Sequence, residues 1–126
     1  SMLAALTAAG VLPGQIDAVK AHGTGTAAND AAEADAMRAV FAAALPTLVA
    51  LKPLVGYTLG ASGLLEAICT LWCMDAGFLP GCAVVESDPD LRVAPLDASI
   101  ATSGGCVLAN CFGFGGNNAS LVFARS

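Results

Sequence analysis

The stretch that decides the fold is QIDAVKAHGTGTAANDAAE, residues 15–33. Its first seven residues, 15–21, have the β-branched and apolar character of a buried strand. They run straight into HGTGT, where Gly23 and Gly25 let the backbone turn tightly. Asp30-x-x-Glu33 then has the spacing of a capping box, in which side chains satisfy free amides at a helix start, and predicts a helix running to Pro46. The same order repeats at once. TLVALK, residues 47–52, reads as a second buried strand ending on Lys52, and Gly56, Gly60 and Gly63 open a long apolar helix over 62–76. Strand, helix, strand, helix implies parallel pairing with right-handed crossovers and an α/β class.

Working outward, residues 2–9 read as an alanine-rich helix stopped at Gly10, with Pro13-Gly14 as a turn behind it. The end of the chain changes character. CVLANCF and NASLVFAR are strand-like runs flanking GFGGN, the pattern of an antiparallel pair joined by a glycine-rich loop. Short strands are also expected near 82–85 and 98–102. The sum is a mixed sheet with covering helices, in a single domain of 126 residues.

Composition narrows the function. Hydrophobic residues make up 56% and charged residues 12%, so some apolar surface is expected to meet another domain or subunit. The greasiest window, 64–79, is interrupted by Glu66 and Asp75 and falls short of the roughly 20 residues of a membrane span. The opening SMLAAL lacks the parts of a secretory signal, and a cytoplasmic location is expected by default. A net charge of −5 disfavours nucleic acid and acidic membranes as partners. The five cysteines form no C-x-x-C and accompany a single histidine, so no metal site is expected. Cys69 and Cys73, one helical turn apart, read as small core residues.

In an open α/β sheet functional groups gather at the carboxyl ends of strands, where both His22 and Lys52 fall. Taken alone, a histidine after a strand is more often a hydrogen-bonded core or surface residue. Three motifs together change that: AHGTGTAANDAAE (21–33), KPLVGYTLGASGLLEA (52–67) and NCFGFGGNNASLVF (110–123). In order and spacing they resemble the carboxyl-terminal half of β-ketoacyl-acyl-carrier-protein synthases, the condensing enzymes of fatty-acid and polyketide synthesis. The resemblance covers residues 10–123.

The resemblance implies the carboxyl-terminal half of a thiolase-like fold, with the nucleophilic cysteine in an amino-terminal half that this sequence does not contain. None of the five cysteines lies in the family's nucleophile context. It implies that His22 donates to the malonyl thioester oxygen, and that Thr24 and Thr26 bind the pantetheine arm of the carrier. Lys52 matches the active-site lysine and Glu66 the glutamate that pairs with it. A buried pair that only fixes the loop is the alternative reading of those two charges. Phe112 and Phe114 match an aromatic pair gating the acyl pocket; without the resemblance they read equally as core aromatics at a hairpin tip. Asn118 keeps the family amide, and Asn117 stands where threonine is commoner.

Tyr57 departs from the pattern, because the family usually places a second histidine between the glycines of this motif. Phenol keeps a neutral donor but reaches roughly 2 Å further and cannot relay a proton near neutrality as imidazole does. The implied activity is decarboxylative Claisen condensation of acyl and malonyl carrier proteins, with this chain alone inactive. No cofactor is implied beyond the phosphopantetheine of the carrier. Acyl carrier protein, the amino-terminal half and a second copy or a ketosynthase heterodimer are the implied partners. Tyr57 keeps open a competing reading, a non-catalytic partner resembling the chain-length factors.

Overall fold

A computed structural model describes residues 1–83, 86–103 and 105–125. Its centre is a four-stranded mixed sheet of order β2-β1-β5-β6. Strands β1 (Ala18–Lys20) and β2 (Thr47–Val49) pair in parallel, as do β1 and β5 (Cys106–Phe112), while β6 (Asn118–Ala124) closes the sheet antiparallel to β5. The remaining strands, β3 (Phe78–Leu79) and β4 (Ile100–Ala101), form a separate antiparallel pair. The helices are α1 (Met2–Ala9), α2 (Ala27–Phe41), the single turn α3 (Lys52–Val55) and α4 (Ser62–Asp75). Among the described residues no helix is long and apolar enough to cross a membrane.

The two-residue period of a strand sends alternate side chains to opposite faces. Val19, Cys106 and Leu108 pack with Met2, Leu6, Met37 and Phe41 on the face covered by α1 and α2. Ala18 and Val107 pack with Met74, Val49 and Leu79 on the other face. The same parity decides where the charges go. Lys20 shares the side of Ala18 and meets α4, whereas Asn110 shares the side of Leu108 and meets α2. All three residues of β1 are buried, as befits a parallel strand covered on both faces.

The mixed sheet, the two parallel strand–helix units and the terminal hairpin agree with the sequence reading, and several boundaries do not. The expected strand 15–21 shortens to β1 because Pro13–Gln15 forms a 3₁₀ turn. The strand expected to end on Lys52 stops at Val49, and Lys52 opens α3. Helix α2 ends at Phe41 rather than near Pro46: Ala42 takes a φ of 51° and breaks the ladder. Within the expected strand at 82–85, Cys82 and Ala83 are irregular, while Val84 and Val85 lie outside the described residues. The strand expected at 98–102 is β4.

The capping box is the largest correction. Thr26 occupies the N-cap of α2 without a side-chain cap, and Glu33 is buried beneath the preceding loop. Its Oε1 accepts the N–H of His22 at 2.9 Å and its Oε2 that of Gly23 at 3.0 Å. The glycine turn leaves amides that no strand partner satisfies, and a buried amide must find an acceptor. Glu33 supplies it across the loop rather than at its own helix end.

Candidate functional site

Three carboxyl-terminal ends converge on one place: the loop after β1, the turn α3 after β2, and the loop after β5. Helix α4 starts beneath them. Its Gly63 lies so close to β5 that a Cβ there would stand 2.7 Å from Cys111 Sγ. This approach brings Glu66, one turn further on, under the sheet ends.

Glu66 is the hub of the site. Its Oε1 lies 2.7 Å from Lys52 Nζ and its Oε2 lies 2.6 Å from Lys20 Nζ, all three residues being buried. The Ser62 hydroxyl also donates to Oε1. Burial alone would push the Glu66 carboxyl up. The hydrogen bonds from Lys20, Lys52 and Ser62 outweigh that and hold it below its ordinary 4.5. Lys20 is pushed below 10.5 chiefly by burial, against the pull of Glu66. The Lys52–Glu66 pair was expected from the sequence; Lys20 was read only as a strand residue. A lysine in the middle of a buried strand was the signal available.

Lys52 continues the chain of contacts. Its Nζ donates to the His22 carbonyl oxygen and stands 3.3 Å from His22 Nδ1. An ammonium has only donors, so Nδ1 must accept and the ring proton sits on Nε2. No hydrogen bond of Nε2 is found among the described residues. His22 is held below its ordinary 6.5 by burial first and then by the charges of Lys52 and Lys20, which keeps the ring neutral near pH 7. A neutral imidazole with a free Nε2–H is a hydrogen-bond donor.

His22 lines a cavity of about 820 Å³ together with Thr24, Thr26, Phe112 and Phe114. A second cavity of about 410 Å³ meets it at Tyr57 and Thr24 and is bounded by Lys52. Thr24 is half-buried and Thr26 exposed, their hydroxyls 2.9 Å apart. Tyr57 sets its ring edge-on to His22, centroids 5.8 Å apart at 84°, and Lys52 Nζ lies 5.1 Å from the same ring centre. The two phenylalanines part company. Phe112 packs against His22 at 5.5 Å, whereas Phe114 is 88% exposed. Asn110, unassigned in the sequence reading, donates to Glu33 at 2.9 Å and accepts from Ser120 at 2.8 Å. Among the described residues no cluster of three or more potential metal ligands is present.

Residues 1–86 match the family model "Beta-ketoacyl synthase, C-terminal domain". The chain belongs to this family. The mitochondrial 3-oxoacyl-[acyl-carrier-protein] synthase of Arabidopsis thaliana is 41% identical over 131 residues, covering 98% of this chain and 28% of that protein. The solved ishigamide ketosynthase/chain length factor superposes with a TM-score of 0.89 at 37% identity, covering 99% of this chain and 32% of the other. A β-ketoacyl synthase from Burkholderia phymatum STM815 gives 0.86 and 38%, covering 99% and 31%. The chain thus spans under a third of the ketosynthase relatives it matches, and its sheet and covering helices are those of their thiolase-like carboxyl-terminal domains.

Proposed function

We propose that residues 1–126 act as the carboxyl-terminal domain of a β-ketoacyl-acyl-carrier-protein synthase, serving decarboxylative Claisen condensation. The observation that carries this reading is the Lys52–His22 contact, which leaves a neutral imidazole with its Nε2–H free beside the larger cavity. In the reaction, a cysteine from outside these residues holds the acyl group as a thioester. Malonyl thioester loses CO₂, and the electron pair of the broken C–C bond passes into an enolate. The enolate carbon forms a bond to the acyl carbonyl, and the C–S bond breaks to return the cysteine thiolate. His22 donates to the thioester oxygen while it carries enolate charge, the preorganised stabilisation that commonly dominates such catalysis.

Thr24 and Thr26 present hydroxyls to the amides of a pantetheine arm, and Phe112 with Phe114 flank the acyl entrance. Lys52 and Glu66 set the tautomer and the field at His22. No cofactor enters this scheme beyond the phosphopantetheine on the carrier. Acyl carrier protein is the substrate-bearing partner, an amino-terminal half completes the pocket, and a homodimer or ketosynthase heterodimer is the assembly.

Tyr57 supports a second reading, a non-catalytic partner akin to a chain-length factor. Its hydroxyl finds no partner among the described residues, and its ring already packs on His22 and Lys52. Assay of the complete protein with acyl and malonyl carrier proteins separates the two. Turnover that falls at least about a hundredfold in His22→Ala, the scale of one lost oxyanion donor, supports the enzyme. Absence of turnover by the purified unmodified protein, restored only by adding a second ketosynthase, selects the partner.

A further inference from the structure

Folding does not explain Lys20. Burying an ammonium costs several kcal/mol before pairing, and apolar replacements of buried ion pairs are often neutral or stabilising. A methionine or leucine between Val19 and Ala21 would suit a buried strand better. What the lysine does instead is specific. Its Nζ donates to Glu66 Oε2 and to the Asn110 carbonyl oxygen, both at 2.6 Å. It therefore occupies the carboxylate oxygen that Lys52 does not use. It also ties α4 to β5, the strand whose Asn110 side chain holds Glu33, which in turn holds the His22 amide.

We infer that Lys20 is a positioning residue for the Lys52–His22 pair: by saturating one oxygen of Glu66 it fixes the carboxylate and leaves Lys52 partly uncompensated, turned toward His22. The inference rests on the reading of His22 as the donor to the thioester oxygen. With two ammonium groups sharing one carboxylate, the cluster keeps one net positive charge beside the imidazole. Without Lys20, Glu66 is free to offer both oxygens to Lys52 and draw it off Nδ1. The charged and titratable groups around His22 are Lys20 on β1, Lys52 on α3, Glu66 on α4, Asp30 and Glu33 on α2, and Tyr57 in the loop after α3. Removing Lys20 subtracts a positive charge and exposes more of the Glu66 negative charge, and both changes favour the imidazolium.

The test uses the complete protein carrying Lys20→Met, which keeps length and removes charge, and Lys20→Gln, which keeps a donor for Glu66 and the Asn110 carbonyl. Each is compared with the unmodified protein at a temperature where all are folded. The expected result is a fall in kcat of up to about a hundredfold, the scale of a roughly 1 Å misplacement at a reacting centre, with KM for malonyl carrier protein unchanged. The acidic limb of kcat should also move to higher pH in both variants. The same upward shift should appear in the titration of the His22 Cε1–H resonance, assigned by its disappearance in His22→Gln. An unmoved titration in a folded variant overturns the inference, and so does a moved titration with kcat unchanged, because the charge of Lys20 acting through space shifts His22 without placing Lys52. Failure of both variants to fold does so too, assigning the ammonium to the core. If the unmodified protein does not turn over, the functional reading fails by itself, while the resonance still decides whether Lys20 acts on His22.

Discussion

Tyr57 stands edge-on to His22, with ring centroids 5.8 Å apart and planes at 84°. Its other neighbour is the Lys52 ammonium, at 5.1 Å from the ring centre, where a cation–π contact contributes about 0.5–2 kcal/mol. Both contacts belong to the ring and survive Tyr57→Phe, so that substitution should leave the melting temperature nearly unchanged. Its effect on turnover isolates the hydroxyl. Were the hydroxyl the second donor to the thioester oxygen in the proposed condensation, it would account for about 2.7–4 kcal/mol of transition-state stabilisation, and turnover of the complete protein should fall about a hundredfold or more. Unchanged turnover in Tyr57→Phe would leave the ring as a filler of the pocket.

Glu33 makes a separate and purely geometric demand. Its two oxygens serve the consecutive amides of His22 and Gly23, so Glu33→Gln must replace one acceptor by an amide NH₂ that faces an N–H. A hydrogen bond to a charged group contributes about 1.5–3 kcal/mol, and a loss of stability of that size is expected by denaturant titration. The Asp30→Asn change, by contrast, should cost well under 1 kcal/mol, because among the described residues Asp30 makes no side-chain bond to the loop amides. Equal effects of the two substitutions would restore the capping box.

That contrast shows where the sequence was legible. His22 and Lys52 were found because a strand, a glycine turn and a helix are local patterns, and the family resemblance then coupled Lys52 to Glu66. Glu33 was misread because three-residue spacing from Asp30 has a complete local explanation, while its true partners include Asn110, 77 positions away. Lys20 was missed for a related reason. Only the placement of α4 against the Ala18 side of β1 makes Lys20 and Glu66 neighbours. The order of β5 in the sheet, next to β1 rather than β2, is likewise set by packing at long range.

Helix α4 buries Glu66, Ala67, Thr70 and Met74 against the sheet, yet its opposite side carries Leu64, Leu71 and Trp72 at 70%, 41% and 68% exposure. Three large apolar residues along one helix face form a patch that folded proteins normally cover. In the proposed assembly the amino-terminal half covers it. The purified 126-residue chain should accordingly bind a hydrophobic dye and self-associate, and Leu71→Glu with Trp72→Glu should suppress both. A monomer by sedimentation that binds no dye would contradict a covered role for this face.

Acid stability should decline in two stages, each from a group whose folded-state pKa lies below its ordinary value. For His22 the ordinary value is 6.5, and below it the unfolded chain takes up a proton that the folded site resists. Stability therefore falls as pH drops through about 6.5 and keeps falling until the folded pKa is passed. For Glu66 the stabilisation from its ion pairs is fully present above 4.5 and is lost as pH falls from there through its lower folded value. The chain has a single histidine, so His22→Gln should abolish the upper stage and leave the lower one. Glu66→Gln should abolish the lower stage and cost about 3–5 kcal/mol at neutral pH, because two buried ammonium groups lose their counter-charge. Melting temperature measured from pH 8 to pH 3 for the two variants and the unmodified protein reads both stages. An upper stage that persists in His22→Gln would mean that burial of the imidazole is not what the acid limb reports.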